Sequence, residues 1–168
     1  PKGHRTLDNA HRRNKLDAVD AGVNAMTTGM YALTEASLGR PAEALKYASL
    51  ALRRLDPSGV AMGEARTDSL FYCSSSYSTF ALATLEMLLQ SYDHVIRPFP
   101  AVPAEWKDLS LTKLPAEEGI LVSGEMRDGR VTKVRYEKDG HVLLETDDAK
   151  PVDIKMVNGA TTLIPRSS

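Results

Sequence analysis

The sequence has little of what several classes of protein require. Cys73 is the only cysteine among 168 residues, so no internal disulfide can form and a disulfide-stabilised scaffold is excluded. The most apolar stretch, 80–89, contains Thr84 and Glu86 and is shorter than the roughly 18 apolar residues of a membrane span. The chain also lacks a glycine-rich phosphate loop and a dinucleotide-binding fingerprint, and we expect no cofactor.

Neither sign of charge is in excess. The chain has 21 lysines and arginines against 22 aspartates and glutamates, a formal net charge of −1. Proteins that bind nucleic acid or membrane surfaces use a large basic excess to neutralise phosphates, so we expect neither partner. The four histidines are scattered along the chain and Cys73 has no neighbour at zinc-ligand spacing, so no metal site is predicted.

The first half of the chain has the apolar spacing of three to four residues that is typical of amphipathic helices. A first helix is capped by Asp17 or Asp20 and ends at Gly39. Pro41 begins a second helix, which the turn residues 56–59 terminate. Because the link between them is so short, the two helices are expected to form an antiparallel hairpin.

A third helix, predicted from about Ser78 to Ser91, is apolar around most of its circumference, with Glu86 as its only charge. Packing one face of such a helix against one hairpin does not bury it. We therefore expect packing partners outside the chain, either covalent or in another subunit. A first residue Pro1 without an initiator methionine agrees with this expectation of a longer protein.

Three prolines, Pro98, Pro100 and Pro103, predict an irregular connector, after which the apolar spacing falls to two residues. Short strands are predicted at 119–125, 131–136, 142–145, 152–156 and 161–164. Type I′ hairpin turns are predicted at Asp128-Gly129, Asp139-Gly140 and Asn158-Gly159. These signals together predict an antiparallel meander or small sandwich.

Two stretches around the connector resemble a known family. The run Glu86-Met-Leu-Leu-Gln-Ser-Tyr-Asp-His-Val-Ile-Arg-Pro-Phe-Pro-Ala-Val-Pro-Ala-Glu-Trp-Lys-Asp108 is similar to the helix-to-β junction of glycoside hydrolase family 95 (α-L-fucosidase-like) proteins. Gly119-Ile-Leu-Val-Ser-Gly-Glu-Met-Arg-Asp-Gly-Arg-Val131 resembles the first hairpin of their C-terminal β domain. The resemblance extends over about 76–136 and is only architectural over 17–55.

The resemblance implies an α+β multidomain fragment. Residues 1–96 would be the closing helices of an (α/α)6 six-hairpin toroid, 97–108 a proline-rich connector and 109–168 a C-terminal antiparallel β-sandwich or meander. The implied activity is inverting hydrolysis of a glycan by a general acid and a general base roughly 6.5–9.5 Å apart. The family's acid lies on an earlier hairpin, so the implied partners are a glycan and upstream hairpins of the same protein or another subunit. A secreted or periplasmic bacterial location is also implied.

The resemblance also implies where the general base lies. The family has an aspartate in an Asp-Gly-Asn-Phe-Gly loop before the last barrel helix, and counting back without gaps from Glu86 puts Ser75 there. A serine hydroxyl is not a general base at neutral pH. Asp68 takes the role if the chain carries an insertion, and Glu64 is the alternative carboxylate. Both are otherwise explained as solvated loop residues or helix caps.

Further candidate sugar contacts are His11, Arg12 and Asn14, whose side chains hydrogen-bond hydroxyl groups, and Tyr72, whose ring can stack on a sugar. The alternatives are a polar chain terminus and an amphipathic packing residue. A rival function is a non-catalytic module that binds carbohydrate or protein and oligomerises through its apolar third helix. The serine at position 75 favours this rival.

Overall fold

A computed structural model of the chain describes residues 25–53, 55 and 73–167. The chain divides into two compact units, Pro1–Thr84 and Leu85–Ser168. The described helices are α1 (Ala25–Ser37), α2 (Pro41–Leu52) and α3 (Ser74–Leu88). The described strands are β1 (Leu89–Tyr92), β2 (Val95–Pro98), β3 (Leu109–Pro115), β4 (Leu121–Arg127), β5 (Arg130–Lys138), β6 (His141–Thr146), β7 (Val152–Val157) and β8 (Ala160–Pro165).

The helices α1 and α2 form the predicted hairpin, and a Schellman motif ends α1. Gly39 adopts a left-handed conformation with φ of 67°, which costs a glycine little. Its N–H donates to the carbonyl of Ala36 at 2.9 Å, and the N–H of Arg40 donates to the carbonyl of Glu35 at 2.9 Å. Pro41 then begins α2, where a helix needs no N–H. The predicted start of the first helix, at Asp17 or Asp20, lies outside the described residues.

Small side chains bring the helices of the first unit close together. The buried face of α1 consists of Ala25, Thr28, Gly29, Ala32, Glu35 and Ala36. A Cβ added to Gly29 would lie 2.8 Å from the Cβ of Thr79 on α3, so the backbones approach too closely for a larger residue. The α2 helix buries Ala44, Ala48 and Ala51 beside Tyr47. Few large apolar side chains are buried among the described residues of these helices, so their packing depends on close backbone approach.

The third helix differs from its prediction at both ends: it begins at Ser74 and stops at Leu88. Beyond it, Leu89–Tyr92 form a strand that pairs with Val95–Pro98. The helix ends because its last carbonyls accept from outside: Phe99 N–H donates to Leu88 at 2.7 Å and Ala101 N–H to Met87 at 3.2 Å. Tertiary hydrogen bonding therefore overrides a helical pattern that continues to residue 91.

The first sheet has the order β1-β2-β7-β8 and is antiparallel throughout. The prediction of irregular structure from Arg97 was wrong for Arg97 and Pro98, which lie in β2. The β2 strand pairs with β7 only at Val95 and Ile96, so Pro98 needs no N–H on that side.

The second sheet is the predicted antiparallel meander, with the order β3-β4-β5-β6. The three predicted two-residue turns are confirmed as type I′ by positive φ at both positions: 51° and 74° at 128–129, 51° and 79° at 139–140, and 51° and 79° at 158–159. The third of these turns joins β7 and β8 in the first sheet.

The sequence did not predict β3, whose alternation a bulge interrupts between Leu111 and Leu114.

The two sheets share one hydrophobic core. The first sheet contributes Ile96, Val152, Ile154 and Leu163, and the second contributes Leu111, Val122, Met126, Val134 and Tyr136. Phe99 completes the core over Gly124, where an added Cβ would lie 2.8 Å from the phenyl ring. The second unit is therefore an antiparallel β-sandwich, and the described chain is of the α+β class.

Candidate functional site

The sugar contacts and general bases predicted from the sequence fall outside the described residues. This applies to His11, Arg12, Asn14, Glu64, Asp68 and Tyr72. The structure therefore leaves their roles as predictions. It does describe the segment that follows them in the chain, at the start of α3.

Ser75 is the second residue of α3 and is exposed. Its carbonyl accepts from the Oγ1 of Thr79 at 3.0 Å, and Ser78 Oγ donates in the same way to the carbonyl of Ser74. These side chains bind backbone of their own helix, an arrangement common for serine and threonine within helices. The position that gapless counting aligns with the family's base thus lies in a helical turn.

One side of α3 presents apolar groups to solvent. Leu82 and Leu85 are 51% and 45% exposed, and the exposed Ser78 and Ala81 lie on the same face. The opposite face is buried at Ser76, Ala83 and Met87. Among the described residues, the helix therefore has an exposed face that contains two leucines.

A buried carboxylate is the main polar feature that the sequence analysis missed. Glu35 of α1 is fully buried, and its Oε2 lies 3.0 Å from Nε of Arg40, which follows the hairpin turn. The backbone N–H of Arg40 also donates to the carbonyl of Glu35. The sequence signal that could have identified this carboxylate is the helical spacing, which puts Glu35 on the same face of α1 as Thr28 and Ala32.

In the second unit, hydrogen bonds join the β1–β2 turn to the loop between β3 and β4. The N–H of His94 donates to Oε2 of Glu117 at 2.9 Å, and the N–H of Glu117 donates to Oγ of Ser91 at 2.8 Å. Asp93 and His94 have φ of 57° and 56°, so this turn needs two left-handed residues without a glycine. Left-handed backbone is unfavourable in residues other than glycine, and these hydrogen bonds offset that cost. They therefore indicate a structural role for His94.

Two carboxylates of the second unit have pKa values below the usual range. A hydrogen bond from Arg166, with Nε 2.8 Å from Oδ1, lowers the pKa of Asp153. The backbone N–H of Lys150, 3.1 Å from Oδ1, lowers the pKa of Asp148. Burial raises the pKa of the Tyr136 phenol, because the charged form would lie in the apolar core. None of these shifts poises a group for acid–base chemistry near neutral pH.

The described residues contain no group of three or more histidine, cysteine, aspartate or glutamate side chains placed to hold a metal ion. Among the helices in this part of the chain, none has both the length and the apolar character needed to cross a membrane.

Comparison with family models gives no match for the chain. Comparison with curated proteins likewise gives no significant match.

Proposed function

We propose that the chain is the C-terminal part of an inverting glycoside hydrolase similar to family 95. The observation that carries this proposal is the structure of 86–108, the run that resembles the family. It forms the last turn of α3, the β1–β2 hairpin and the connector into a two-sheet unit. A closing helix that continues directly into an antiparallel sandwich is the order of elements that the resemblance implies.

The exposed leucine face of α3 supports the same proposal. A solvated helix of a finished domain normally exposes polar residues on its outer side. Leu82 and Leu85 instead leave apolar area in water, and each fully buried leucine would contribute about 1.5–3 kcal/mol. Further hairpins of the toroid would cover this face and also supply the general acid.

In the proposed reaction, the general acid on an upstream hairpin protonates the glycosidic oxygen as its bond to the anomeric carbon breaks. The general base, Asp68 or alternatively Glu64, removes a proton from a water that attacks the opposite face of that carbon. His11, Arg12, Asn14 and Tyr72 would contact the sugar. The chain by itself would not hydrolyse a glycan, and the complete enzyme would act in a secreted or periplasmic location.

The test uses the complete gene product with an aryl α-L-fucoside and with fucosylated plant and mucin glycans. Proton NMR of the first turnover should show the β-anomer of fucose, as inversion requires. D68N should lower kcat by about 10²–10⁴-fold, the usual contribution of a general base, while KM changes little. The matched control is D56N, because Asp56 is predicted to lie in a turn and has no predicted catalytic role.

Several outcomes would contradict the proposal. Release of the α-anomer would exclude inversion, and full activity of D68N would remove Asp68 from the mechanism. If E64Q alone abolishes turnover, Glu64 takes the role of the base. Absence of glycan hydrolysis by the complete gene product would refute the enzyme assignment.

The exposed leucine face also favours a second candidate, a non-catalytic module that oligomerises through α3. On this view Leu82 and Leu85 would lie in a contact between copies, and Ser75 would reflect the lack of a catalytic base. Light scattering after size-exclusion chromatography distinguishes the candidates. A stable homo-oligomer of the 168-residue chain that L82E dissociates supports the module, and a monomer supports the hydrolase fragment.

A further inference from the structure

The outer face of the second sheet contains a trough, on the side opposite the sandwich core. Its volume is about 220 Å³, and strands β3, β4 and β5 line it. The side chains that matter for its chemistry are Ser110, Thr112, Ser123, Glu125, Lys133 and Arg135. All belong to the second unit, and none is among the predicted catalytic residues.

The trough forms where β3 departs from regular pairing. The β3–β4 register shifts between Leu111 and Leu114, and Lys113 adopts φ of 53° within this bulge. Its N–H donates to Oγ of Ser123 at 3.0 Å, which leaves the hydroxyl hydrogen of that serine available to a ligand. Gly124 lines the trough through its backbone only, because a Cβ added there would point into the core against Phe99.

Charged side chains border the trough. Strand pairing places Ser110 opposite Glu125, Glu125 opposite Lys133, and Ser123 opposite Arg135. Two of the three charged side chains that line it are therefore cationic, and they lie next to one another along one face of β5.

Glu145, which pairs with both cations, is 45% exposed, whereas Glu137, which pairs with Arg135, is mostly buried. Lys133 Nζ lies 3.3 Å from Glu145, while Arg135 lies 3.1 Å from Glu137 and 3.6 Å from Glu145. The side chains of Lys133 and Arg135 are 47% and 39% exposed. The exposed pairs with Glu145 contribute at most about 1 kcal/mol each, so an incoming anion can compete with that carboxylate for both cations.

We infer that this trough binds an oligosaccharide that contains a uronic acid. The Ser110, Thr112 and Ser123 hydroxyls and the Glu125 carboxylate suit sugar hydroxyls as donors and acceptors. Lys133 and Arg135 suit the sugar carboxylate, which an arginine fork can bind through two hydrogen bonds. No aromatic side chain is among the residues that line the trough, so the stacking that often holds neutral sugars is not provided here. The inference stands without the proposed hydrolase activity.

The test is a titration of the ¹⁵N-labelled full chain with trigalacturonate, followed by amide chemical shifts. Shifts should centre on the trough residues, and binding should weaken by more than about tenfold between about 50 and 500 mM salt, since screening acts on exposed charges. R135Q should reduce affinity about tenfold, as expected for the loss of a charge-assisted hydrogen bond. K133Q is the second variant, in case R135Q alters the sheet.

The matched control is R130Q, because Arg130 is an exposed cation on the same strand that does not line the trough. It should bind trigalacturonate as the unaltered chain does. Equal binding of a neutral galactotriose would overturn the assignment of a carboxylate ligand, and equal binding of hexaglutamate would overturn the assignment of a sugar. The absence of any shift at the trough with trigalacturonate would overturn the inference entirely.

Discussion

The two units of the chain obtain their packing from different kinds of side chain. The described helices of the first unit bury mainly alanine, glycine and threonine, together with the carboxylate of Glu35. The second unit buries branched and aromatic side chains between two sheets. The described helices therefore depend on close backbone approach and on a buried ion pair, whereas the sandwich depends on apolar area removed from water.

The largest effect is expected from I96A. Ile96 is fully buried in the sandwich core, so its truncation should cost about 2–5 kcal/mol of unfolding free energy through lost burial and a cavity. Trp106 is the only tryptophan and lies in the second unit, so its fluorescence during urea unfolding measures this loss. The control is I164A on the same sheet, because Ile164 is 39% exposed. Equal losses in the two variants would contradict a packed sandwich core.

E35A is expected to have the next largest effect, in the first unit. It removes the buried carboxylate that pairs with Arg40 at the hairpin turn. The loss should cost about 3 kcal/mol, the lower end of the range for a broken buried pair, because Arg40 is 27% exposed. Helical circular dichroism during urea unfolding measures the loss. The control is E43A, whose ion pair with Lys46 is exposed and should contribute under about 0.5 kcal/mol. A loss for E35A as small as that for E43A would show that the buried pair contributes nothing.

Y136F tests whether the buried hydroxyl group of Tyr136 lowers the stability of the sandwich. The Tyr136 side chain is fully buried, and its hydroxyl has no hydrogen-bond partner within the described residues. Its removal should be neutral or stabilising by up to about 1 kcal/mol, because a desolvated hydroxyl is lost. The control is Y92F, since Tyr92 donates to Oε1 of Gln90 at 2.9 Å and its loss should destabilise slightly. Strong destabilisation by Y136F would mean that the hydroxyl is satisfied in solution.

The smallest effect concerns pH. The pKa of Asp153 is lower in the folded chain than in the unfolded one, because Arg166 hydrogen-bonds to its carboxylate. Its stabilising contribution is present above the unfolded pKa of about 3.9 and is lost as the pH falls through the folded value. D153N should therefore lower Tm slightly at neutral pH and flatten its decline below about pH 4. R166Q should reproduce this profile, and an unchanged acid slope in both variants would contradict the shift.

Local signals made much of the fold predictable. Gly39 and Pro41 ended one helix and began the next, and three Asp-Gly or Asn-Gly pairs predicted the type I′ turns. Each signal depends on the conformational preference of one or two residues, so the sequence alone is sufficient.

The remaining parts depend on distant contacts. The β1–β2 turn uses Asp93 and His94 without glycine, and Glu117 supports it from 23 residues away. The β3 strand loses its alternation at the Lys113 bulge. Neither device has a local signature. The candidate catalytic residues came from family resemblance, whereas the trough became visible only when pairing brought three strands together.

The hydrogen bonds from Phe99 and Ala101 to the end of α3 give the proline-rich stretch a structural role. Three prolines in six residues, Pro98, Pro100 and Pro103, would ordinarily suggest a flexible linker that is susceptible to proteolysis. Here two of the amide groups between them, those of Phe99 and Ala101, close the last helical turn. We therefore expect these amide protons to exchange as slowly as those of the sheets. The stretch would then stabilise the junction at which α3 ends and β1 begins.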